Sequence, residues 1–351
     1  MSVDDEWMNF KETINTDNIN PKKEKNIELD IMPKCTNIYI STQTKIAYLN
    51  QKIDLDYLFW NLPVIDYFSP KNGIIKKSIK INCTSQEDLD KLHNNTSNQK
   101  NISITELSSV KNKKKFKEVF KIDVGLCEKD IISYRKKQKG AFYNCFAIII
   151  RILYKNIYKE VHVKIFNTGK LEIPGIQFDE LLNITLDNLI KIIQPYLKNT
   201  ISYNKNDINT VLINSNFSCG YFLDRFKLFQ KLKYKYNIQA SYDPCSYPGI
   251  QCKFYFNRNN TEHNGIHLKN DNEDDNDEYE KKWENVSFMI FRTGSVLIVG
   301  NCNKTTLNIV YEFIKEVLKN EFTEIFVKLN NIIKKKPAKK IRKKVVKLSI
   351  D

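Results

Sequence analysis

Cys245, Cys252, His263 and His267 bring together residue types that bind a soft divalent metal, and His-x3-His is a spacing that zinc sites use. The two cysteines stand too far apart for the usual zinc knuckle, so the expectation for these four is ordinary packing, with no metal. Catalytic patterns are missing elsewhere: the sequence holds no P-loop, no HExxH and no GxSxG, and its four histidines are scattered. The chain is therefore expected not to be an enzyme and to need no cofactor. What remains is recognition chemistry, and it is made twice. VKIFNTGKLEIPG, from Val163 to Gly175, returns as FMIFRTGSVLIVG, from Phe288 to Gly300, with six identical positions. Each copy offers an aromatic ring for stacking, a threonine hydroxyl and a following row of alternating apolar side chains.

Those residues need a particular frame. Apolar residue, Phe, polar residue, Thr and Gly, followed by alternation, predicts a strand, a tight turn at Gly169 or Gly294, and a second strand. Side chains alternate along a strand, so Phe166, Thr168 and Lys170 share one face, as do Phe291, Thr293 and Ser295. Ile165 and Ile290 then face the other way, into a core, and both Phe rings are expected to be exposed. After each hairpin comes a threonine and an amphipathic run. Leu186, Leu189, Ile190, Ile193, Tyr196 and Leu197 match Leu307, Val310, Tyr311, Ile314, Val317 and Leu318, the 3.6-residue period of a helix with one buried face, with Thr185 and Thr306 placed to cap it. Upstream of each hairpin lie a strand-like run (37–44; 211–218) and a short helical run (53–62; 222–233). The chain reads as two copies of strand, helix, several strands, helix.

At this point the residues resemble the TATA-box-binding protein family. Ile213-Asn214 and Ser218-Cys219 are similar to that family's opening strand, and Ser241-Tyr242-Asp243-Pro244 with Tyr247-Pro248-Gly249 is similar to its SYEP…FPG stretch. In the first repeat, Ser41-Thr42 and the run from Phe142 to Arg151 carry the likeness. The resemblance implies an α+β fold: a saddle of two pseudo-symmetric repeats forming one curved antiparallel sheet, with helices on the convex face. It also implies the domain plan. A polar extension spans 1–34; the first repeat takes 35–83 and 142–200 and is interrupted by an insertion, 84–141. The second repeat takes 205–325 with an acidic loop, 257–284, and a basic tail covers 330–351.

By the same resemblance the site is a DNA-binding face, on which pairs of aromatic rings wedge between base steps. Phe166 and Phe291 carry over most directly. Tyr247 falls at the second repeat's partner position, and Phe146, or else Phe142, at the first repeat's. Asn214 and Asn37 fall at the positions that reach central base edges, and Thr168, Thr293, Lys170, Leu297 and Val299 complete the face. Glu172 and Pro174 share the parity of Phe166, which puts a carboxylate beside phosphates and is expected to weaken binding.

Composition agrees with a polyanionic partner. The 351 residues carry a net charge of +15 and are 41% hydrophobic, enough for one large or two small domains. Nine of the fourteen residues from Lys334 to Lys347 are Lys or Arg, whereas seven of the ten from Asp271 to Glu280 are acidic. The tail can lie along phosphates; the acidic loop would be repelled by them and points to a protein partner. The eight cysteines include no CxxC pair, no apolar segment is long enough to cross a membrane and the N-terminus shows no apolar signal. The expected setting is a reducing, intracellular one, either the nucleus or a cytoplasmic viral factory, with packaging in the virion as a further option. The Asn, Lys and Ile bias points to an A/T-rich genome and, with the divergence from the family pattern, the chain resembles the TATA-binding-like proteins of large DNA viruses.

The resemblance implies a transcription initiation factor that binds and bends A/T-rich promoter DNA through the minor groove. Its partners would be double-stranded DNA, a general initiation factor and the RNA polymerase machinery, the last two reached through the acidic loop 271–280. The alternative is a protein-interaction scaffold of the transcription apparatus that keeps the saddle with weak or non-specific DNA binding.

Overall fold

The computed structural model describes residues 32–97, 99, 101–112, 115–132, 143–258, 263–267 and 283–328. Phe142, the acidic run 271–280, the basic tail and nearly all of the N-terminal extension lie outside the described residues. The described residues divide into two compact units, one of residues 42–210 and one of residues 32–41 together with 211–328. Each is an antiparallel sheet with helices packed on one face, an α+β plan. No helix among the described residues is long and apolar enough to cross a membrane.

The first unit contains most of β1 (Tyr39–Tyr48), α1 (Leu55–Asn61), β2 (Gly73–Cys83), α2 (Gln86–Ser97), β3 (Ile102–Asn112), β4 (Lys115–Gly125), α3 (Glu128–Ile132), β5 (Cys145–Tyr154), β6 (Ile157–Phe166), β7 (Lys170–Ile176) and α4 (Asp179–Ile193). Its strands run in the order β3, β4, β2, β5, β6, β7, β1. The insertion 84–141 is thus built structure where it is described: α2, then a hairpin, β3 and β4, that pairs with β2 and widens the sheet. One face is the core. Ile148, Ile150 and Ile152 of β5 and Val163 and Ile165 of β6 pack against Leu58 and Phe59 of α1 and Leu182, Leu186 and Leu189 of α4.

The second unit contains β8 (Asn209–Ser218), α5 (Arg225–Gln230), β9 (Gln239–Ser241), β10 (Ile250–Asn257), β11 (Trp283–Ile290), β12 (Ser295–Gly300), α6 (Lys304–Asn320) and the short α7 (Phe322–Ile325). Its strand order is β8, β12, β11, β10, β9. Phe254, Phe288, Val296 and Ile298 bury one face of this sheet against Leu307, Val310, Ile314 and Leu318 of α6.

The duplicated hairpin explains why Thr-Gly recurs. Gly169 and Gly294 adopt φ of +85° and +82°, and a Cβ would stand 2.4 Å from Gln51 O in the first and 2.2 Å from Tyr221 O in the second. Only glycine fits a left-handed turn that a neighbouring backbone approaches so closely. The approaching backbone is hydrogen bonded: Leu49 N–H donates to Gly169 O and Cys219 N–H to Gly294 O, both at 2.9 Å.

The two threonines do not cap their helices. Helix α4 begins at Asp179, so Thr185 lies within it and its buried hydroxyl donates back to Leu181 O at 2.7 Å. Helix α6 is capped by Asn303, whose Oδ1 accepts from Thr306 N at 2.8 Å. The matched helices also differ in length. Pro195 lacks the N–H that would continue α4, so Tyr196 and Leu197 fall outside it, whereas Val317 and Leu318 are buried in α6.

Candidate nucleic-acid interface

Each sheet leaves one face without long helices, only the short α3 crossing that of the first unit, and strand parity decides which side chains stand there. In the second unit, Ile213, Ser215 and Phe217 of β8 point into the core, so Asn214, Asn216 and Ser218 point the other way, half-buried. Asn214 stands opposite Val299 and Asn216 opposite Leu297, whose neighbours Val296 and Ile298 are fully buried. Ser287 and Met289 of β11 continue the row. The face is one of small amides, hydroxyls and aliphatic groups, with few charges.

Its rim is aromatic. Tyr247 and Phe291 have ring centroids 5.9 Å apart, tilted by 56°. Gly249 lies beneath both: a Cβ there would come within 3.0 Å of Phe291 Cε1 and 3.1 Å of Tyr247 Cε1. Phe291 is 3% exposed, not the open ring that parity predicts. It follows β11 and is covered by Tyr247 rather than by the helices, so the half-exposed ring of the pair is Tyr247. Thr293 occupies the turn after it, half-buried.

In the first unit, Phe166 ends β6 half-exposed, with Lys170 Nζ 5.2 Å from its ring centre, and Thr168 is exposed in the turn. Its expected partner, Phe146, is on the other face. Phe146 pairs with Ile165, is fully buried and packs edge-on against Phe59 of α1, with centroids 5.7 Å apart. A single step of register separates the two faces. The pairing itself gives the counterpart of Tyr247: Cys145 stands opposite Phe166. Ile250 stands opposite Ile290, which sets Gly249 beside Phe291. Two residues before Gly249 is Tyr247, and two before Cys145 is Tyr143. Tyr143 is 50% exposed, with Lys80 Nζ 3.8 Å from its ring centre. The sequence signal was present, since Tyr143-Asn144-Cys145 aligns with Tyr247-Pro248-Gly249.

Asn37 is displaced in the same way. It is exposed and precedes β1, beside a neighbour, Thr36, whose N–H donates to Ser218 O at 2.8 Å. The equivalent hydrogen bonds of Leu49 and Cys219 set the frame, and counting back five residues from each reaches Thr44 and Asn214. Thr44 sits in a β-bulge between Gln43 and Lys45 and occupies the place expected for Asn37.

Several charges on the first unit's face are matched by neighbours. Glu172 of β7 stands on it, as parity predicts, and its Oε1 accepts from Lys164 Nζ at 2.6 Å across the β6–β7 pair. Lys76 and Lys121 lie 3.8 and 2.9 Å from Asp123, whose Oδ1 also accepts from the Ser78 hydroxyl. Cys245, Cys252, His263 and His267 do not gather: Cys252 is buried in β10 with its thiol pushed far up by desolvation, His263 packs on Phe256, and His267 packs between Tyr255 and Trp283. Among the described residues, no group of three or more such side chains could hold a metal ion.

Comparison with known proteins finds a curated relative and a solved structure with related names. No protein-family model matches the chain. A protein of Acanthamoeba polyphaga mimivirus named TATA-box-binding protein-like is 26% identical over 210 residues, covering 56% of this chain and 53% of that protein. The chain thus spans about half the length of that curated relative. The solved structure of Methanococcus jannaschii TBP aligns with 81% of this chain and 99% of its own, at 13% identity and a TM-score of 0.40. The strand, helix, hairpin and helix unit made twice accords with that similarity to the viral TATA-box-binding protein-like relative.

Proposed function

We propose that the chain is a TATA-binding-protein-like transcription initiation factor that seats A/T-rich promoter DNA, minor groove first, on the sheet faces without long helices and bends it. The observation that carries this reading is an aromatic placed at the same register in both units: Tyr247, two residues before Gly249, packs on Phe291, and Tyr143 stands two residues before Cys145, which is opposite Phe166. The minor groove distinguishes A·T from T·A poorly, so a face of Asn, Ser, Met, Leu and Val suits it better than a row of charged readers. Aromatic wedges unstack a base step at a cost of a few kcal/mol and bend the duplex onto the protein surface. The acidic run 271–280 would hold a protein partner, and the tail 334–347 would lie along phosphates. Neither role is catalytic.

Fluorescence transfer on end-labelled A/T-rich and G/C-rich duplexes at two salt concentrations tests it. A sharp bend with A/T preference is expected. Salt-sensitive binding with neither would overturn it in favour of a second reading, a scaffold of the transcription apparatus. Two observations favour that second reading: Phe291 is nearly covered, and Glu172 holds Lys164 on the face.

A further inference from the structure

In the first unit the face without long helices is not open along its whole length. Six residues along β5 from Cys145, about 20 Å at 3.3 Å per residue, Arg151 stands on the same face yet is only 1% exposed. Two segments lie over it. One is the connection 63–72 between α1 and β2; the other is 126–132, which follows β4 and contains α3.

Side chains from three strands, β2, β5 and β6, fasten the cover to the sheet. Arg151 Nη1 donates to Tyr67 O at 2.5 Å and to Ser69 O at 3.1 Å, while its guanidinium lies 4.5 Å from the Tyr67 ring centre. Its Nη2 is 3.9 Å from Glu160 Oε1, and both Glu160 oxygens accept from Glu128 N–H at 3.1 Å. Lys76 Nζ reaches both oxygens of Asp130, at 2.9 and 3.0 Å, and the Tyr158 hydroxyl donates to Pro70 O. Beneath, Tyr67, Ile75, Cys127 and Ile149 form an apolar cluster separate from the main core. A bulge supplies one of them: Ile74 pairs with Ile150 and Lys76 with Ile149, leaving Ile75 as the extra residue turned to this face. Gly125, at φ +87°, lets the chain pass closely over it, for a Cβ would stand 2.2 Å from Ile75 O.

A buried arginine bonded to two carbonyls and paired with a carboxylate over an apolar cluster belongs to fixed structure, not to a flap. We infer that this cover is a wall that ends the DNA-contact surface of the first unit. A duplex seated at Tyr143 and Phe166 stops short of Arg151, and the exposed top of the wall, Phe68 and Lys71, flanks it. The inference rests on the DNA-binding reading above.

The test tethers iron-EDTA at Lys71→Cys in a Cys245→Ser background of the full chain and maps strand cleavage on an A/T-rich duplex. Cleavage confined to one end of the protected tract is expected; a protected tract without cleavage overturns the wall. A second variant replaces 66–71 with a three-residue Gly/Ser link. Its hydroxyl-radical footprint should lengthen at that same end, because the shortened link uncovers the continuation of that face. An unchanged footprint overturns the wall, and if the shortened variant fails to fold, the tethered chain decides alone. If the unaltered chain protects no tract, the DNA-binding reading falls, and the wall falls with it.

Discussion

Tyr247 covers Phe291: their rings lie 5.9 Å apart over Gly249, and the inner one keeps 3% of its exposure. The pair is thus prepacked in the free protein. A ring already held in place loses little side-chain entropy when it meets a base step.

Phe291→Ala is therefore expected to act twice. It removes a buried ring outside the main core, lowering stability by about 3 kcal/mol, the low end for a buried Phe, and it reduces the DNA bend. Urea unfolding and fluorescence transfer on one sample separate the two effects. Lost bending with unchanged stability would show the ring to be exposed in solution. Tyr247→Phe keeps the covering ring and should keep the bend.

Tyr143→Ala should reduce bending by the first unit with little effect on stability, because that ring is half exposed. Phe146→Ala is the control: it opens a cavity beside Phe59 in the core and should cost about 3 to 5 kcal/mol. A bending defect from Phe146→Ala at full stability, with none from Tyr143→Ala, would reverse the assignment.

Gly169→Ala and Gly294→Ala should each destabilise by about 1 to 3 kcal/mol, since both force a side chain into a left-handed turn and against a carbonyl oxygen. Denaturant midpoints of the two variants check this. A harmless substitution in either would mean the hairpin turn is not the one described.

These two glycines show which features were legible in the sequence. A repeated Thr-Gly flanked by alternating residues fixes a hairpin because the backbone can make little else there. The helices were equally legible from the period of Leu186, Leu189 and Ile193 against Leu307, Val310 and Ile314. The site was less so. Phe146 and Tyr143 differ by a register that depends on which residue pairs with Phe166, and pairing is a tertiary fact. Asn37 was misplaced because the opening strand, Tyr39–Tyr48, runs later than the 37–44 that the sequence suggests, and its frame is set by the hydrogen bond of Leu49 to Gly169. The wall over Arg151 left no periodic trace, since it is made of connections held by backbone carbonyls.

Lys77 gives a pH prediction. Its Nζ is buried and donates to Phe59 O at 2.6 Å and Leu62 O at 2.8 Å, at the C-terminal end of α1. Burial lowers its pKa from 10.5 to about 8. The folded state holds this proton less tightly than the unfolded state. Below pH 8 both states are protonated and the full penalty is present; between about 8 and 10.5 the folded state releases the proton first, so stability rises with pH. Other groups titrate in the same range, so the quantity to follow is the stability difference between the unaltered chain and Lys77→Met. It should increase from pH 8 to pH 10.5, and a flat difference would mean that Lys77 reaches water.

Glu172→Gln bears on DNA affinity directly. The carboxylate faces the side proposed to meet phosphates and engages Lys164 Nζ at 2.6 Å, while Lys164 and Glu172 keep 30% and 23% of their side-chain exposure. An exposed pair of this kind contributes at most about 1 kcal/mol to folding, so the variant should fold normally. Removing the charge takes away a repulsion and lets Lys164 turn to the backbone. One added phosphate contact steepens the slope of log affinity against log salt by about 0.9. Tighter binding at low salt, with the advantage fading as salt rises, is the expected result from titrations at four salt concentrations. If affinity and slope stay unchanged, this stretch of β6 and β7 does not meet the duplex, and the scaffold reading gains.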